Sequence, residues 1–386
     1  MKRFAILLLA LGTALTLTLA GCGGGGGGGG GGGIANPAFT TTQDLAAPTG
    51  TTPAFSAATA VDDGAGTTLD PTMAVGAADS TLPATNLQAV AWSVTGSGTT
   101  LANTATPLPT PVGTTYSRAN GVNDSTGAIV GEMGTPIVPA FWADSATIAV
   151  TLPLGVGATS GAAYAIDNDG TILGETFAVA GGPATAVFWS TDAAGVITGP
   201  TALPTAGTSS SAYAVNNNLT APEAAGEMTD LTGTHAVVWR VTPATATVPE
   251  TITEIVLPGL PTAVPALTGD SIALSINNAG TVIGEMMDAD GFVHAVRWVK
   301  GTGTTYTVQN MGLGAANAIN NGGRVVGSAT FTTALATTTG ASAWGSGGVT
   351  PVLMHADLAD GVAAAISNTG RAVGVKGNAV AFIALP

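Results

Sequence analysis

After about residue 50 the chain alternates apolar and polar residues in short runs, and most runs end at turns rich in Asn, Asp and Gly. Period-two alternation predicts strands with one buried face. The runs repeat in order. Seven copies begin with a short apolar strand ending at Val61, Val122, Ile166, Val215, Ile276, Ile319 or Ile366. A turn follows, as in Asn277-Asn-Ala-Gly280, Asn320-Asn-Gly-Gly323 and Asp167-Asn-Asp-Gly170. Asn and Gly tolerate the positive φ that tight hairpins need. A second strand ends in glycine each time, at Gly76, Gly131, Gly174, Gly226, Gly284, Gly327 and Gly374. Glycine in a strand marks close approach of another backbone or a large ring. A third strand reads Ala-x-x-Trp and ends at Trp92, Trp142, Trp189, Trp239, Trp298 or Trp344. Phe382 takes that slot in the seventh copy, with Ala379 as its alanine. A fourth strand often closes with Leu-Pro, as at Leu108-Pro109 and Leu257-Pro258.

Successive copies begin 43 to 61 residues apart. Four short strands and their turns need about 40 residues, and the excess fits loops of variable length. The sequence therefore predicts an all-β fold, a seven-bladed β-propeller of four-stranded blades over residues 41–386. A parallel β-helix is the structural alternative, with rungs usually shorter and more regular. The last copy ends too soon for a fourth strand, because only Ile383 and Ala384 separate Phe382 from Leu385. Gln43-Asp-Leu-Ala-Ala-Pro48 resembles the missing piece. It is expected to pair beside residues 379–385, so that an N-terminal strand completes the last blade.

Residues 1–21 interrupt this pattern. Lys2 and Arg3 precede an apolar run, and Leu19-Ala20-Gly21-Cys22 follows, which describes an export signal. A transmembrane anchor is the rival, but the run is short and ends in small residues. Leu-Ala-Gly-Cys resembles the lipobox of bacterial lipoproteins, which implies cleavage before Cys22 and its lipidation. Cys22 is the single cysteine, so an internal disulfide is excluded. Residues 23–33 are all glycine and form a tether across residues 22–40. They do not suit a phosphate loop, which needs a preceding strand and a closing Gly-Lys-Ser/Thr. Gly23 lacks the aspartate that would resemble an inner-membrane retention signal, which favours the outer membrane or cell surface.

The net charge is −14, and losing Lys2 and Arg3 with the leader makes it more negative. This disfavours nucleic acid and anionic membrane surfaces as partners. The copies also resemble the HAF repeat, a family of probable extracellular repeats. His235-Ala-Val-Val-Trp239 and His294-Ala-Val-Arg-Trp298 carry the resemblance, joined to the Ile-Asn-Asn-x-Gly-x-Val-x-Gly phrase. It covers nearly all of residues 55–386 and implies an exported repeat protein with no established reaction.

Candidate chemistry is sparse. Glu132, Glu175, Glu227 and Glu285 follow the strand glycine in copies two to five, where copies one, six and seven have Ala77, Ser328 and Val375. In a propeller they form an arc, read first as solvated strand ends and otherwise as a ligand or cation patch. A carboxylate pair at fixed separation also suits glycoside hydrolysis. Asp167-Asn-Asp-Gly170 with Glu175, and Asp288-Ala-Asp-Gly291, invite calcium, but hairpin chemistry explains both. His235, His294 and His355 are too spread for zinc, and hydrogen bonds within a blade are expected. The tryptophans are expected in the core. The function this predicts is noncatalytic binding or scaffolding at the cell envelope by a monomer without cofactor, held to the membrane by lipid. Its ligand is an unidentified protein or glycan. A carbohydrate-active enzyme using rim carboxylates is the alternative.

Overall fold

The computed structural model describes residues 39–48, 55–62, 72–79, 87–96, 101–179, 181–191, 195–218, 222–242, 251–260, 269–332, 337–377 and 379–386. The export signal, Cys22 and the polyglycine run lie outside the described residues. The fold is all-β, with one 3₁₀ turn at Ala356–Leu358 among the described residues. Its strands form antiparallel sheets, five of four strands and one of seven.

Strands β2 (Phe55–Val61), β3 (Thr72–Asp79), β4 (Gln88–Thr95) and β5 (Ala102–Pro107) form the sheet of the first repeat copy. The next three sheets are β6 (Ser117–Val122) to β9 (Val150–Thr151), β10 (Ser160–Ile166) to β13 (Ile197–Ala202), and β14 (Ser209–Val215) to β17 (Thr251–Val256). The seven-stranded sheet runs from β18 (Ser271–Ile276) to β24 (Val352–Leu353) and joins two copies through the long strand β21 (Tyr306–Ile319). The first part of β21 pairs with β20 (Val293–Lys300), and residues from Gly314 on pair with β22 (Val325–Thr332). Gly312 (φ 98°) and Gly314 (φ 136°) turn the chain from one copy to the next without a loop.

The last sheet has the order β1-β27-β26-β25, from β25 (Val362–Ile366), β26 (Ala372–Val375), β27 (Ala381–Leu385) and the N-terminal β1 (Thr41–Asp44). Thr41 pairs with Leu385 and Asp44 with Phe382. The Leu45 amide donates to the Ala381 carbonyl, as Leu108 does to Ala89 and Leu257 to Ala236. Leu45 thus takes the place of the closing leucine, 4% exposed. Lys376 pairs with Asp44 across the same junction.

Buried clusters join each copy to the next. One holds Val75, Ile129 and Trp142, and another Val130, Ile172 and Trp189. The series returns on itself, because Trp92 and Val90 of the first sheet share a cluster with Leu45, Val373 and Ile383 of the last. The packing is therefore cyclic and propeller-like, with the apolar strand faces buried between neighbouring sheets.

Each second-strand glycine faces a bulge in its first strand. Register shifts fall at the same place in all seven copies, for example between Ala58 and Ala60 and between Ala273 and Ser275. The bulge drives a carbonyl into the space a side chain would need. A Cβ on Gly76 would lie 2.0 Å from Ala57 O, on Gly284 1.9 Å from Ile272 O, and on Gly374 2.0 Å from Val362 O. The close approach expected at these glycines comes mainly from backbone. The ring is second, with Trp239 Cζ3 2.9 Å from the corresponding point on Gly226.

The tryptophans are core, each at most 1% exposed. Each indole N–H donates to the previous copy: Trp142 to Pro109 O (2.8 Å), Trp189 to Pro153 O (2.8 Å) and Trp298 to Pro258 O (2.9 Å). Trp92 reaches Ala46 O (2.8 Å) behind Leu45. The seventh slot corrects the sequence alignment. Trp298 pairs with Val282, two residues before Gly284, whereas Phe382 pairs with Gly374 itself and Ala384 takes the tryptophan register. The repeat alanine is Ala381, whose N–H donates to Ser56 Oγ as that of Ala236 does to Ser271 Oγ. Ala379 lies before the strand with φ 63°. Phe382 offers no N–H to the preceding copy. There the His355 carbonyl accepts from Leu358 N, and the buried Leu358 packs with Phe382.

Candidate functional site

The first strands of the copies converge, and their ends and turns line an open cavity of about 110 Å³. Six of the seven copies contribute to it. The wall combines Val61, Val215, Ile276, Ile319 and Ile366 with the asparagines of the turns and Asp124.

The asparagine pairs do more than form hairpins. The first residue of each pair caps its own turn, as Asn277 Oδ1 accepts from Ala279 N and Thr281 N. Its amide nitrogen then donates to the carbonyl of the equivalent residue in the next copy: Asn216 to Asn277 (3.3 Å), Asn277 to Asn320 (3.2 Å) and Asn320 to Ser367 (3.1 Å). Asn123 makes the same bond to Asp167 O. A second belt runs through the next residue, whose Oδ1 accepts the backbone N–H of the preceding copy. Asn168 N donates to Asn217 (2.7 Å), Asn217 N to Asn278 (2.8 Å), Asn278 N to Asn321 (2.9 Å) and Asn321 N to Asn368 (2.7 Å). The first belt lapses where Asp167 replaces asparagine, since a carboxylate has no N–H to give. Burial pushes the Asp167 carboxyl upward, outweighing the N–H donors that lower it.

The four glutamates sit at one register position, each facing the repeat alanine or its equivalent, as Glu175 faces Ala186 and Glu285 faces Ala295. Contrary to the solvated strand ends expected, Glu132, Glu175 and Glu227 are buried and Glu285 is partly buried. Tyr116 donates to Glu132 at 2.5 Å. Glu175 accepts from Tyr164 (2.6 Å) and from Ser211 of the next copy. The Tyr164 and Tyr213 rings lie 5.4 Å apart at 57°. Burial, with the charges of Glu175, Tyr213 and Glu132, pushes the Tyr164 hydroxyl well up. Glu285 is pushed up to about 7 by burial first and by the charge of Glu227 second. The arc is real, and in copies two and three its carboxylates act as acceptors for neighbouring hydroxyls.

His235 and His294 bond within their own hairpins, and His355 caps the 3₁₀ turn. His235 Nε2 lies 3.2 Å from Asp230 and 2.8 Å from Thr232, and His294 Nε2 lies 3.0 Å from Asp288. His355 Nδ1 accepts from Asp357 N at 3.2 Å. The acidic turns spend oxygens on their own backbone. Asp167 Oδ1 accepts from Asp169 N and Thr171 N, and Asp288 Oδ1 from Asp290 N and Phe292 N.

One cluster escaped sequence reasoning. Buried Glu223 takes Arg240 Nε at 2.6 Å and Lys300 Nζ at 2.9 Å, binding copies four and five. Its partners stand 17 and 77 residues away, and no local pattern links them. The doubled asparagine was visible, but its reach into the next copy was not.

No family model matches the chain, and no curated protein matches it. Among solved structures it is similar to a Trypanosoma rangeli sialidase in complex with the inhibitor DANA, at 11% identity and a TM-score of 0.43. The similarity covers 84% of this chain and 54% of that one, so the chain spans about half the sialidase's length.

Proposed function

We propose that this is an exported, lipid-anchored binding or scaffolding protein whose seven repeat copies form the seven blades of one β-propeller, monomeric and noncatalytic. The observation that carries the reading is how the polar groups are used. In copies two and three the arc's carboxylates are buried and engaged by Tyr116, Tyr164 and Ser211, while the polar lining at the convergence of the copies is mostly amide, with the carboxylate of Asp124 beside it. Acid–base or nucleophilic hydrolysis needs carboxyl groups presented to substrate. Amide groups hold ligands without reacting. The HAF-repeat resemblance and the lipobox at Cys22 belong to the same proposal, and Gly23 in place of an aspartate favours the outer membrane or cell surface.

Two measurements test it. Expressed in a bacterium that processes lipoproteins, the wild type partitions into detergent and yields a lipid-bearing peptide starting at Cys22, whereas Cys22→Ser does neither. Equal membrane retention of both removes the anchor. Screened against peptides and glycans with reducing-sugar release as second readout, the protein binds without turnover. Release abolished by Glu175→Gln overturns the noncatalytic reading.

A further inference from the structure

We propose that the cavity where the first strands converge is a binding site for the terminal residue of a neutral carbohydrate. The inference rests on the binding-module reading and assigns it a site and a ligand class. Asn217, Asn278 and Asn321 line the cavity, and each has its side-chain oxygen committed to a backbone N–H of the preceding copy, at 2.7, 2.8 and 2.9 Å. That bond orients the amide, because only oxygen can accept there. The group each of the three leaves to the cavity is its NH₂, which no acceptor among the described residues engages. The convergence of copies thus places three oriented donors around one small space. Asp124 on the same wall adds a negative charge.

Charge and size narrow the ligand. Neutral amides beside Asp124, on a chain of net charge −14, do not favour an anion. A purely apolar group would strip water from the donors without replacing its hydrogen bonds. A sugar hydroxyl accepts from such amides and carries no charge. About 110 Å³ is the space of roughly four waters at about 30 Å³ each, enough for the hydroxyl-bearing edge of one pyranose.

The test separates the amide's two roles. Asn278→Asp and Asn321→Asp keep the oxygen that holds the preceding copy and remove the donor. Asn168→Asp adds the same charge to the same belt at a residue that does not line the cavity. The full-length protein in detergent is titrated calorimetrically with neutral di- to tetrasaccharides of glucose, galactose and N-acetylglucosamine. The wild type binds at least one, the two cavity variants lose tenfold or more in affinity, and Asn168→Asp matches the wild type. No binding by any of these sugars overturns the inference, and so does equal affinity of all three variants. If a cavity variant fails to fold, the wild-type side-chain amide resonances of Asn278 and Asn321 decide it: they shift on titration, and their constancy overturns the site. Sugar binding that ignores the cavity variants leaves the binding-module reading standing. Sugar binding with bond cleavage removes the noncatalytic reading and leaves the site.

Discussion

Gly284→Ala puts the bulge-and-glycine contact to a direct test. The added methyl would stand 1.9 Å from Ile272 O, 3.0 Å from Ile272 C and 3.1 Å from Ala273 Cα. Ordinary contacts of a Cβ begin near 3.4 Å, so the carbonyl must retreat by about 1.5 Å. It cannot swing aside as a side chain would, because it belongs to a bulged strand paired on both sides of the irregularity. Overfilling a packed interior typically costs about 1–3 kcal/mol, and immovable backbone places this case at about 3 kcal/mol or above. The control is Gly303→Ala, where φ is +65° and no atom lies within 4 Å of the new methyl. That change meets only the left-handed backbone penalty of about 1–2 kcal/mol. Urea unfolding of both variants and the wild type, compared at equal slope, measures the difference. The steric account is refuted if Gly284→Ala loses no more stability than Gly303→Ala. Intuition from glycine conformation predicts the opposite order, since Gly284 is not among the positive-φ glycines.

Three further outcomes are expected. Asn277→Asp keeps the turn cap but replaces the donor to Asn320 O with a carboxylate oxygen. It should cost about 1–3 kcal/mol in chemical denaturation, while Asp167→Asn, which restores the missing donor, should be neutral or stabilising. Glu285 is pushed up to about 7 in the folded chain, so the native state holds its proton where the unfolded state has lost it. Stability should therefore fall as pH rises from about 4.5 through 7, by roughly 3 kcal/mol at most, and Glu285→Gln should flatten that fall; melting curves that coincide for both proteins from pH 5 to 8 would contradict it. Leu45→Ala empties a core position shared by the first and last sheets and should cost about 2–5 kcal/mol, whereas a melting temperature equal to wild type would show that the N-terminal strand does not hold the ring.

Much of the architecture was legible because its causes are local and repeated. Period-two patterning, an Asn/Gly turn and a recurring glycine each act within a few residues, and seven repetitions make them plain. The pairing of β1 with β27 was expected as well, although the count that suggested it set out from Phe382, two residues short of the tryptophan register. The aligned tryptophans identified a core layer, because so large an apolar ring at one recurrent position has to be buried.

Other features depend on contacts between neighbouring copies. Phe382 follows a small residue by the same spacing as the tryptophans, yet it sits two residues short of their register, since strand pairing, not motif spacing, sets which residue covers which glycine. Glu132, Glu175 and Glu227 look like surface carboxylates by type. Glu132 is covered where Tyr116 reaches it, and Glu175 where Tyr164 and Ser211 do, the last from another copy. The strands, their order and the copies they form follow from hydrophobic period and turn chemistry, which are properties of a short segment. The tertiary structure alone determined that doubled asparagines bind one copy to the next and leave oriented donors at a shared cavity. Those hydrogen bonds span 43 to 61 residues and exist only once the sheets converge.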